Sequence, residues 1–160
     1  MCDNDAIVER MTDCGLQAIK TAKEESVRLR HNFIGAEFLL LGLVGHRNTA
    51  SYTLSSFGLN LKRTRQEVER VIGQGSGYFT EDFNFTAQGK EILNSSLEEA
   101  EKAGRYEINS SDILLALIQK EKNRGGSVSK VFDYLDVDID DLRLSLLERL
   151  QKEELPDSSG

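Results

Sequence analysis

The sequence predicts an all-α protein built from two tandem four-helix repeats that form a pseudo-twofold eight-helix bundle. Apolar residues recur at three- and four-residue steps along the whole chain, which is the spacing of amphipathic helices. The stretch from residue 12 to residue 72 returns, in altered form, from residue 86 to residue 150. The chain has 160 residues, of which 39% are hydrophobic, and this is enough for one compact core shared by both repeats.

The internal duplication is visible residue by residue. With an offset of 74 the matched pairs include Thr12 with Thr86, Gly15 with Gly89, and Ile34 with Ile108. After a few extra residues near Asn123 to Gly126 the match resumes with an offset of 78, so that Leu59 faces Val137 and Ile72 faces Leu150. Two similar halves that bury their apolar faces against each other present two related outer surfaces, which favours protein binding over a single catalytic cleft.

The first helix of each repeat begins after a threonine. Thr12 is the expected N-cap of a helix from about Asp13 to Leu29, and Thr86 is the expected N-cap of its copy. Gly15 and Gly89 both fall at the third helical position, where a glycine costs about 1 kcal/mol relative to alanine. Their repetition predicts that a backbone or a ligand comes very close to each helix.

Three further helices complete each repeat. The second, at about residues 36–45 and 112–120, is apolar nearly all round and should be the buried centre of its lobe. Gly35 precedes it in the first repeat, and either Asn109 or Ser110 caps it in the second. The third and fourth helices are expected at residues 49–56 and 61–72, and again at 127–135 and 139–150.

These elements predict one domain with short extensions. We expect an N-terminal extension at residues 1–11 and a single double-repeat domain at residues 12–150, with a flexible tail at 151–160. Within the domain, lobe one covers residues 12–72 and lobe two covers 86–150. The glycine-rich linker 73–85 joins them.

The charge distribution argues against nucleic acid and anionic membranes as partners. The net charge is −7, whereas a phosphate-binding face needs clustered Lys and Arg. The two lobes differ, however, because residues 12–72 carry a net charge of +3 and residues 86–150 a net charge of −4. The first lobe is therefore the expected docking site for an acidic group.

The cysteines and the N-terminus indicate a reducing compartment. Cys2 and Cys14 have neither a disulfide-framework spacing nor a metal-ligand spacing, so both are expected to be free thiols. The first residues are acidic rather than basic, and the longest apolar run, Phe38 to Val44, is far shorter than a membrane span. We therefore expect a soluble intracellular protein without a membrane partner.

One segment carries a family resemblance. The run Arg30-His31-Asn32-Phe33-Ile34-Gly35-Ala36-Glu37-Phe38-Leu39-Leu40-Leu41-Gly42-Leu43, with the glycine-rich linker and the second Thr-led copy, closely resembles the N-terminal domain of Clp AAA+ unfoldases. The likeness is strongest to the ClpC branch and covers about residues 11 to 150. It implies a non-enzymatic protein-binding domain that receives substrates and adaptor proteins for an ATP-driven unfoldase or its protease. The expected location is then the cytoplasm, or the plastid stroma in a photosynthetic eukaryote.

The motor of such an unfoldase is missing from the sequence. No GxxxxGK[ST] phosphate loop is present, and the linker glycines lack the lysine that would reach a phosphate. We therefore expect no ATP hydrolysis and no cofactor. The alternative function is a free-standing accessory subunit that docks on the Clp protease core or the unfoldase and affects its assembly, as plastid relatives of this fold do.

The resemblance also implies a ligand. In ClpC-like domains, the helix-opening threonine and the glutamate of a Gly-Thr-Glu motif contribute to a pocket for phosphorylated arginine, a mark on client proteins. The first lobe supplies Thr12 and Glu37, and the second supplies Thr86 and Ser111. A carboxylate suits a guanidinium and a helix N-terminus suits a phosphate, so the first lobe should bind the mark and the second should bind it poorly. The alternative interpretation is that both threonines and Glu37 only stabilise helix starts and bind no ligand.

The aromatic residues of the linker allow two interpretations. Tyr78 and Phe79 are candidates for an exposed apolar surface that contacts adaptors or unfolded clients. The alternative is that linker aromatics, Phe83 and Phe85 in particular, pack into the groove between the lobes.

Catalytic and metal sites are disfavoured. Cys14 with His31 or His46 would need a supporting acid and an oxyanion site, and the spacing of these residues indicates neither. No His or Cys pair has a zinc-ligand spacing. Asp138, Asp140 and Asp141 lack the glycine turn and the distal glutamate of a calcium loop, and are expected to cap the last helix instead.

Overall fold

The computed structural model describes residues 4–77 and 84–154. All regular elements in these two ranges are α-helices, which confirms the fold class. The helices are α1 (Asn4–Glu9), α2 (Asp13–Arg28), α3 (Ala36–Val44), α4 (Thr49–Ser56), α5 (Leu61–Ile72), α6 (Ala87–Lys102), α7 (Ser110–Arg124), α8 (Ser127–Tyr134) and α9 (Ile139–Glu154). Helices α2–α5 form the first lobe, and α6–α9 repeat their order in the second.

Two elements differ from the expectation. Helix α1 lies inside the stretch taken as an extension, and its Ile7 is fully buried, so a short apolar contact orders a segment too brief to show a helical period. Helix α9 continues to Glu154, so residues 151–154 are helical rather than part of a flexible tail. The bundle therefore has nine helices in its described part, not eight.

The core is centred on α3 and α7, the second helices of the two lobes. Seven of the nine residues of α3 are buried, including Phe38 and Leu41, and ten residues of α7 are buried, including Leu114 and Leu117. Helix α3 and the first nine residues of α7 are buried nearly all round because the remaining helices pack against them. The expectation that these segments form the buried centre of each lobe is confirmed.

Two equivalent backbone hydrogen bonds, which we call the backbone exchanges, join the lobes. The N–H of Thr12 donates to the carbonyl of Ile108 at 3.0 Å, and the N–H of Thr86 donates to the carbonyl of Ile34, also at 3.0 Å. Each exchange forms an isolated parallel bridge, Met11 with Ile108 and Phe85 with Ile34. The start of the first helix in each lobe is thus fixed against the loop before the second helix of the other lobe.

The repeated glycines lie at these exchanges. A Cβ added at Gly15 would stand 2.9 Å from the carbonyl oxygen of Ile108, and a Cβ at Gly89 would stand 2.6 Å from that of Ile34. Contacts this short do not occur for a real side chain, so only glycine admits the opposing backbone. The expected close approach at both glycines is confirmed, and the approaching group is the backbone of the other lobe.

Candidate functional site

The structure pairs the predicted site residues across the lobes rather than within them. Thr86 lies beside Glu37: a Cβ at Gly35 would meet Glu37 Oε1 at 2.6 Å and Thr86 Oγ1 at 3.4 Å. Thr12 lies beside Ser111 instead, and the two residues line one groove. The backbone exchange carries each threonine to the loop of the opposite lobe. No described contact joins Thr12 to Glu37, so their grouping in one pocket stays a prediction.

Both threonines are helix N-caps. Thr12 Oγ1 accepts a hydrogen bond from the N–H of Gly15 at 3.2 Å, and Thr86 Oγ1 accepts one from the N–H of Gly89 at 3.0 Å. The N-cap oxygen is thereby used, but the hydroxyl proton and the first two amides of each helix stay available to an acceptor. The capping interpretation is correct for both residues, and it leaves room for a ligand.

We call Glu37, Thr86, Glu121, Ser127 and Ser129 the Thr86 cluster. The Ser127 hydroxyl donates a hydrogen bond to Glu37 Oε2, and so links the start of α8 to the start of α3. Glu121, which is almost fully buried, accepts from the N–H of Ser129 at 3.2 Å and from its hydroxyl at 2.9 Å. Two carboxylates and two helix starts, those of α6 and α8, therefore share one small region between the lobes.

The electrostatics of the Thr86 cluster favour a cation. Burial raises the pKa of Glu121, hydrogen bonds from Ser129 and Val128 oppose the rise, and the nearby charge of Glu37 adds to it. Because the charge of Glu37 disfavours ionisation of Glu121, a positively charged group placed between the two carboxylates would relieve their repulsion. The adjoining N-terminus of α6 offers partial positive charge to an anion at the same place.

We call the second region the Thr12 groove. Its volume is about 620 Å³, and it is open to solvent. Its lining includes Thr12, Thr49, Tyr52, Ser110 and Ser111. Among the described residues, its lining includes three carboxylates, those of Asp13, Glu107 and Glu153, and no lysine or arginine. The loss of a glutamate at position 111 makes this groove chemically different from the Thr86 cluster.

Tyr78 and Phe79 lie outside the described residues, so their role as an adaptor surface stays a prediction. Phe85, at the end of the same linker, is 4% exposed and packs between the lobes through its bridge to Ile34.

The histidines take structural positions. His31 Nε2 hydrogen-bonds to the carbonyl of Gly73 at 2.9 Å, which holds the linker against the first lobe. His46 Nε2 bonds to the side chains of Thr21 and Gln17 on α2. Neither ring is hydrogen-bonded to Cys14, which is an exposed free thiol. Asp138 accepts from the N–H groups of Asp140 and Asp141 at 2.9 and 3.0 Å, as expected for a helix cap.

Residues 4–77 and 84–154 contain neither a cluster of metal-ligating side chains nor a membrane-spanning helix. No group of three or more His, Cys, Asp or Glu side chains converges there in a way that would hold a metal ion. No helix in the same ranges has both the length and the apolar character needed to cross a bilayer.

Sequence reasoning missed several residues of these sites, among them Ser127, Glu121 and Glu153. Ser127 matches Thr49 in the duplication, and both residues are expected to begin a helix. This correspondence is the sequence signal that could have identified Ser127 as a site residue. Glu121 comes from the last turns of α7, and its burial depends on the packing of α8 above it. Glu153 reaches the Thr12 groove only because α9 continues beyond the expected end of the helix.

Comparison with known proteins gives a consistent answer. The Clp repeat (R) N-terminal domain matches residues 10–130 and, in an overlapping second match, residues 84–160. The chaperone protein ClpC1 of Oryza sativa chloroplasts is 39% identical over 143 residues, which cover 89% of this chain and 15% of that protein. A ClpA homologue of Porphyra purpurea is 37% identical over 153 residues, which cover 95% of this chain and 18% of that protein. The chain thus spans less than a fifth of the length of these relatives.

Solved structures share the fold. The N-terminal domain of ClpD from Arabidopsis thaliana superposes with a TM-score of 0.75 at 22% identity, covering 89% of this chain and 96% of that one. A ClpV N-domain in complex with VipB peptide superposes with a TM-score of 0.67 at 14% identity, covering 91% of this chain and 92% of that one. With the sequence match over both repeats, these findings show that the chain belongs to the Clp repeat N-terminal domain family.

Proposed function

We propose that this chain recognises substrates and adaptor proteins for a Clp AAA+ unfoldase or its protease, acting by binding and not by catalysis. Its family supports this role, since such domains stand at the front of Clp ATPases. A ClpV N-domain of the same fold has been solved with a bound VipB peptide. The chloroplast relatives further support the plastid stroma as its location, if its source is a photosynthetic eukaryote.

The observation that carries the proposal is the position of Glu37 beside Thr86. A half-buried carboxylate from one lobe meets the N-terminus of a long helix from the other, so negative and partial positive charge stand next to each other. A zwitterionic side chain fits such a pair. Phosphorylated arginine is such a side chain. Its guanidinium would pair with Glu37 while its phosphoryl group accepts hydrogen bonds from the first amides of α6.

Two neighbours strengthen this assignment. Glu121 adds a second carboxylate. Burial raises the pKa of Glu121, and the nearby charge of Glu37 adds to this rise. A guanidinium would offset both negative charges. Ser127, whose hydroxyl now bonds to Glu37, can rotate that hydroxyl toward a phosphoryl oxygen without moving the backbone. The Thr86 cluster is therefore the proposed client-binding site, in place of the Thr12 and Glu37 pair expected from sequence.

Binding of a phosphoarginine peptide tests the site. Fluorescence anisotropy with a labelled peptide is measured for the full chain, for Glu37→Ala and for Thr86→Val. Each variant is expected to weaken binding about tenfold, since a lost charge-assisted hydrogen bond removes roughly 1.5 kcal/mol or more. Ser111→Ala should change little, and Glu24→Ala removes an exposed carboxylate of the first lobe as the matched control. Equal effects of Glu37→Ala and Glu24→Ala on peptide binding would contradict the proposed site.

An affinity pull-down from extract of the source tests the wider role. The 160-residue chain should recover adaptors and varied client proteins, with clients lost from the Glu37→Ala sample. Stoichiometric recovery of Clp core subunits without clients would contradict the recognition role and identify an accessory subunit instead.

A further inference from the structure

A groove of about 440 Å³ lies on the first lobe, where the last turn of α2 approaches α5. Among the described residues, its lining includes three cationic side chains, those of Arg28, Lys62 and Arg65, and one carboxylate, that of Glu69. Leu61 and the aliphatic stems of the longer side chains give the groove an apolar surface. It shares no lining residue with the two sites described above.

A buried carboxylate orients two of the cations. Glu25, whose side chain is 5% exposed, accepts from Nε and Nη2 of Arg65, both at 2.8 Å. It also accepts from Nε of Arg28 at 3.2 Å. We call Glu25, Arg28 and Arg65 the Glu25 clasp. Because the fork of Arg65 alone reaches both oxygens of Glu25, a tie between the helices would be complete without Arg28, which adds a second oriented guanidinium.

The clasp keeps donors for a further anion. Both Nη groups of Arg28, Nη1 of Arg65 and the ammonium of Lys62 have no hydrogen-bond partner among the described residues. The three cations face two carboxylates, those of Glu25 and Glu69, so one positive charge is not balanced within the groove. This excess suits a singly charged anion.

The second lobe has the residues for such a clasp but does not form one. The duplication places Glu99, Lys102 and Arg143 at the matching positions. Lys102 Nζ is 3.9 Å from Glu99 Oε1, and no ion pair joins Arg143 to Glu99 among the described residues. The side chain of Glu99 is 22% exposed, so it is less buried than its counterpart Glu25. Only the first lobe, with its net charge of +3, therefore presents two guanidiniums fixed side by side.

We propose that the groove beside the Glu25 clasp binds an acidic segment of a partner polypeptide, with one Asp or Glu carboxylate seated between Arg28, Arg65 and Lys62. A carboxylate fits better than a phosphate monoester, which carries nearly two negative charges at pH 7 where the groove has one positive charge to offset. Leu61 and the stems of the cationic side chains would cover an apolar residue beside that carboxylate. The inference does not depend on phosphoarginine binding at the Thr86 cluster.

Backbone amide shifts in a two-dimensional NMR titration of the full chain test the proposal. The probes are the amidated peptide N-acetyl-Ala-Leu-Glu-Leu-Ala, the same peptide with glutamine in place of glutamate, and the same peptide with phosphoserine there. None contains arginine, so the result is separate from that at the Thr86 cluster.

Two variants alter the groove and two serve as matched controls. Lys62→Ala removes an exposed cation of the groove that has no partner in the described part of the chain, so the fold should be unaffected. Arg65→Lys keeps the charge but replaces the fork by a single ammonium. Lys20→Ala removes an exposed cation of α2 that does not line the groove. Arg143→Ala removes the counterpart of Arg65 in the second lobe.

We expect the glutamate peptide to shift the amides of Arg28, Lys62 and Gln66. Its affinity should fall about threefold in Lys62→Ala and about fivefold in Arg65→Lys, and should not change in the two controls. Raising the salt concentration should weaken binding, because the contact is between exposed charges. Any of three results would overturn the proposal: equal binding of the glutamine peptide, equal losses in Lys62→Ala and Lys20→Ala, or preferential binding of the phosphoserine peptide.

Discussion

The hydroxyl of Ser127, in the second lobe, donates a hydrogen bond to the carboxylate of Glu37, in the first. With the two backbone exchanges at Thr12 and Thr86, this contact makes the interface between the lobes the place where ligand chemistry is assembled. The same interface holds glycines that admit no side chain and the carboxylate of Glu121, whose pKa is raised by burial. Its stability and its binding are therefore linked, and the following expectations test the individual contacts.

Gly89→Ala should destabilise the fold by about 1–3 kcal/mol, although alanine is the better helix former. The added Cβ would stand 2.6 Å from the carbonyl oxygen of Ile34, so the lobes must separate. Urea unfolding followed by circular dichroism measures the change. Lys90→Ala, at the next and exposed position of α6, is the control and should stay within about 0.5 kcal/mol of the unchanged chain. A stabilised Gly89→Ala protein would show that the backbone contact is absent.

Glu25→Gln should cost about 1–3 kcal/mol at pH 7, because it breaks a bidentate pair between buried Glu25 and Arg65 with two contacts of 2.8 Å. Burial alone would raise the pKa of Glu25, but the hydrogen bonds and charges of Arg65 and Arg28 outweigh it and lower the pKa below 4.5. A lowered pKa contributes stability above the unfolded value, and this contribution is lost as pH falls through the folded value. The difference between the two proteins should therefore shrink below about pH 4.5. A difference that stays constant down to pH 2 would contradict the pairing.

Glu121→Gln should stabilise the fold at pH 7, whereas Glu25→Gln destabilises it. Burial raises the pKa of Glu121, so the ionised carboxylate costs stability at neutral pH, and this cost disappears as pH falls below the unfolded value near 4.5. The neutral amide keeps an acceptor for the N–H of Ser129 and should stabilise the fold by up to about 1 kcal/mol at pH 7. Thermal unfolding at pH 7 and pH 4 measures both values, and the gain should be smaller at pH 4. A loss of stability at pH 7 would mean that the charged hydrogen bonds outweigh burial.

Arg30→Gly should stabilise the fold by about 0.5–1 kcal/mol. Arg30 follows α2 in the left-handed region, with φ of 63°, and its counterpart in the second lobe is Gly104, with φ of 75°. Arginine is strained there, whereas glycine is not. Gly104→Ala is the reciprocal control and should lose a similar amount in denaturant unfolding, since a Cβ at Gly104 meets nothing within 4 Å and only the backbone conformation is affected. Equal stability of all three proteins would show that neither position is strained.

The helices of both lobes were predictable because their information is local. Apolar residues at helical steps, the N-caps Thr12 and Thr86, and the glycine turns defined nearly every helix to within a few residues. The duplication predicted which helices correspond, and it marked Gly15 and Gly89 as positions of close approach. The exceptions were α1 and the last turn of α9, which are ordered by contacts with distant parts of the chain.

The composition of the sites was partly predictable, but their pairing was not. The sequence by itself determined that each lobe presents a capped helix start and that only the first lobe has a glutamate in the first turn of its central helix. Tertiary structure decided that Glu37 meets Thr86, that Thr12 meets Ser111, and that Glu121 and Glu153 enter the two sites. The physical reason is that the lobes bind each other through backbone hydrogen bonds, which can form with any sequence and so leave no residue pattern that tells which helix start meets which loop.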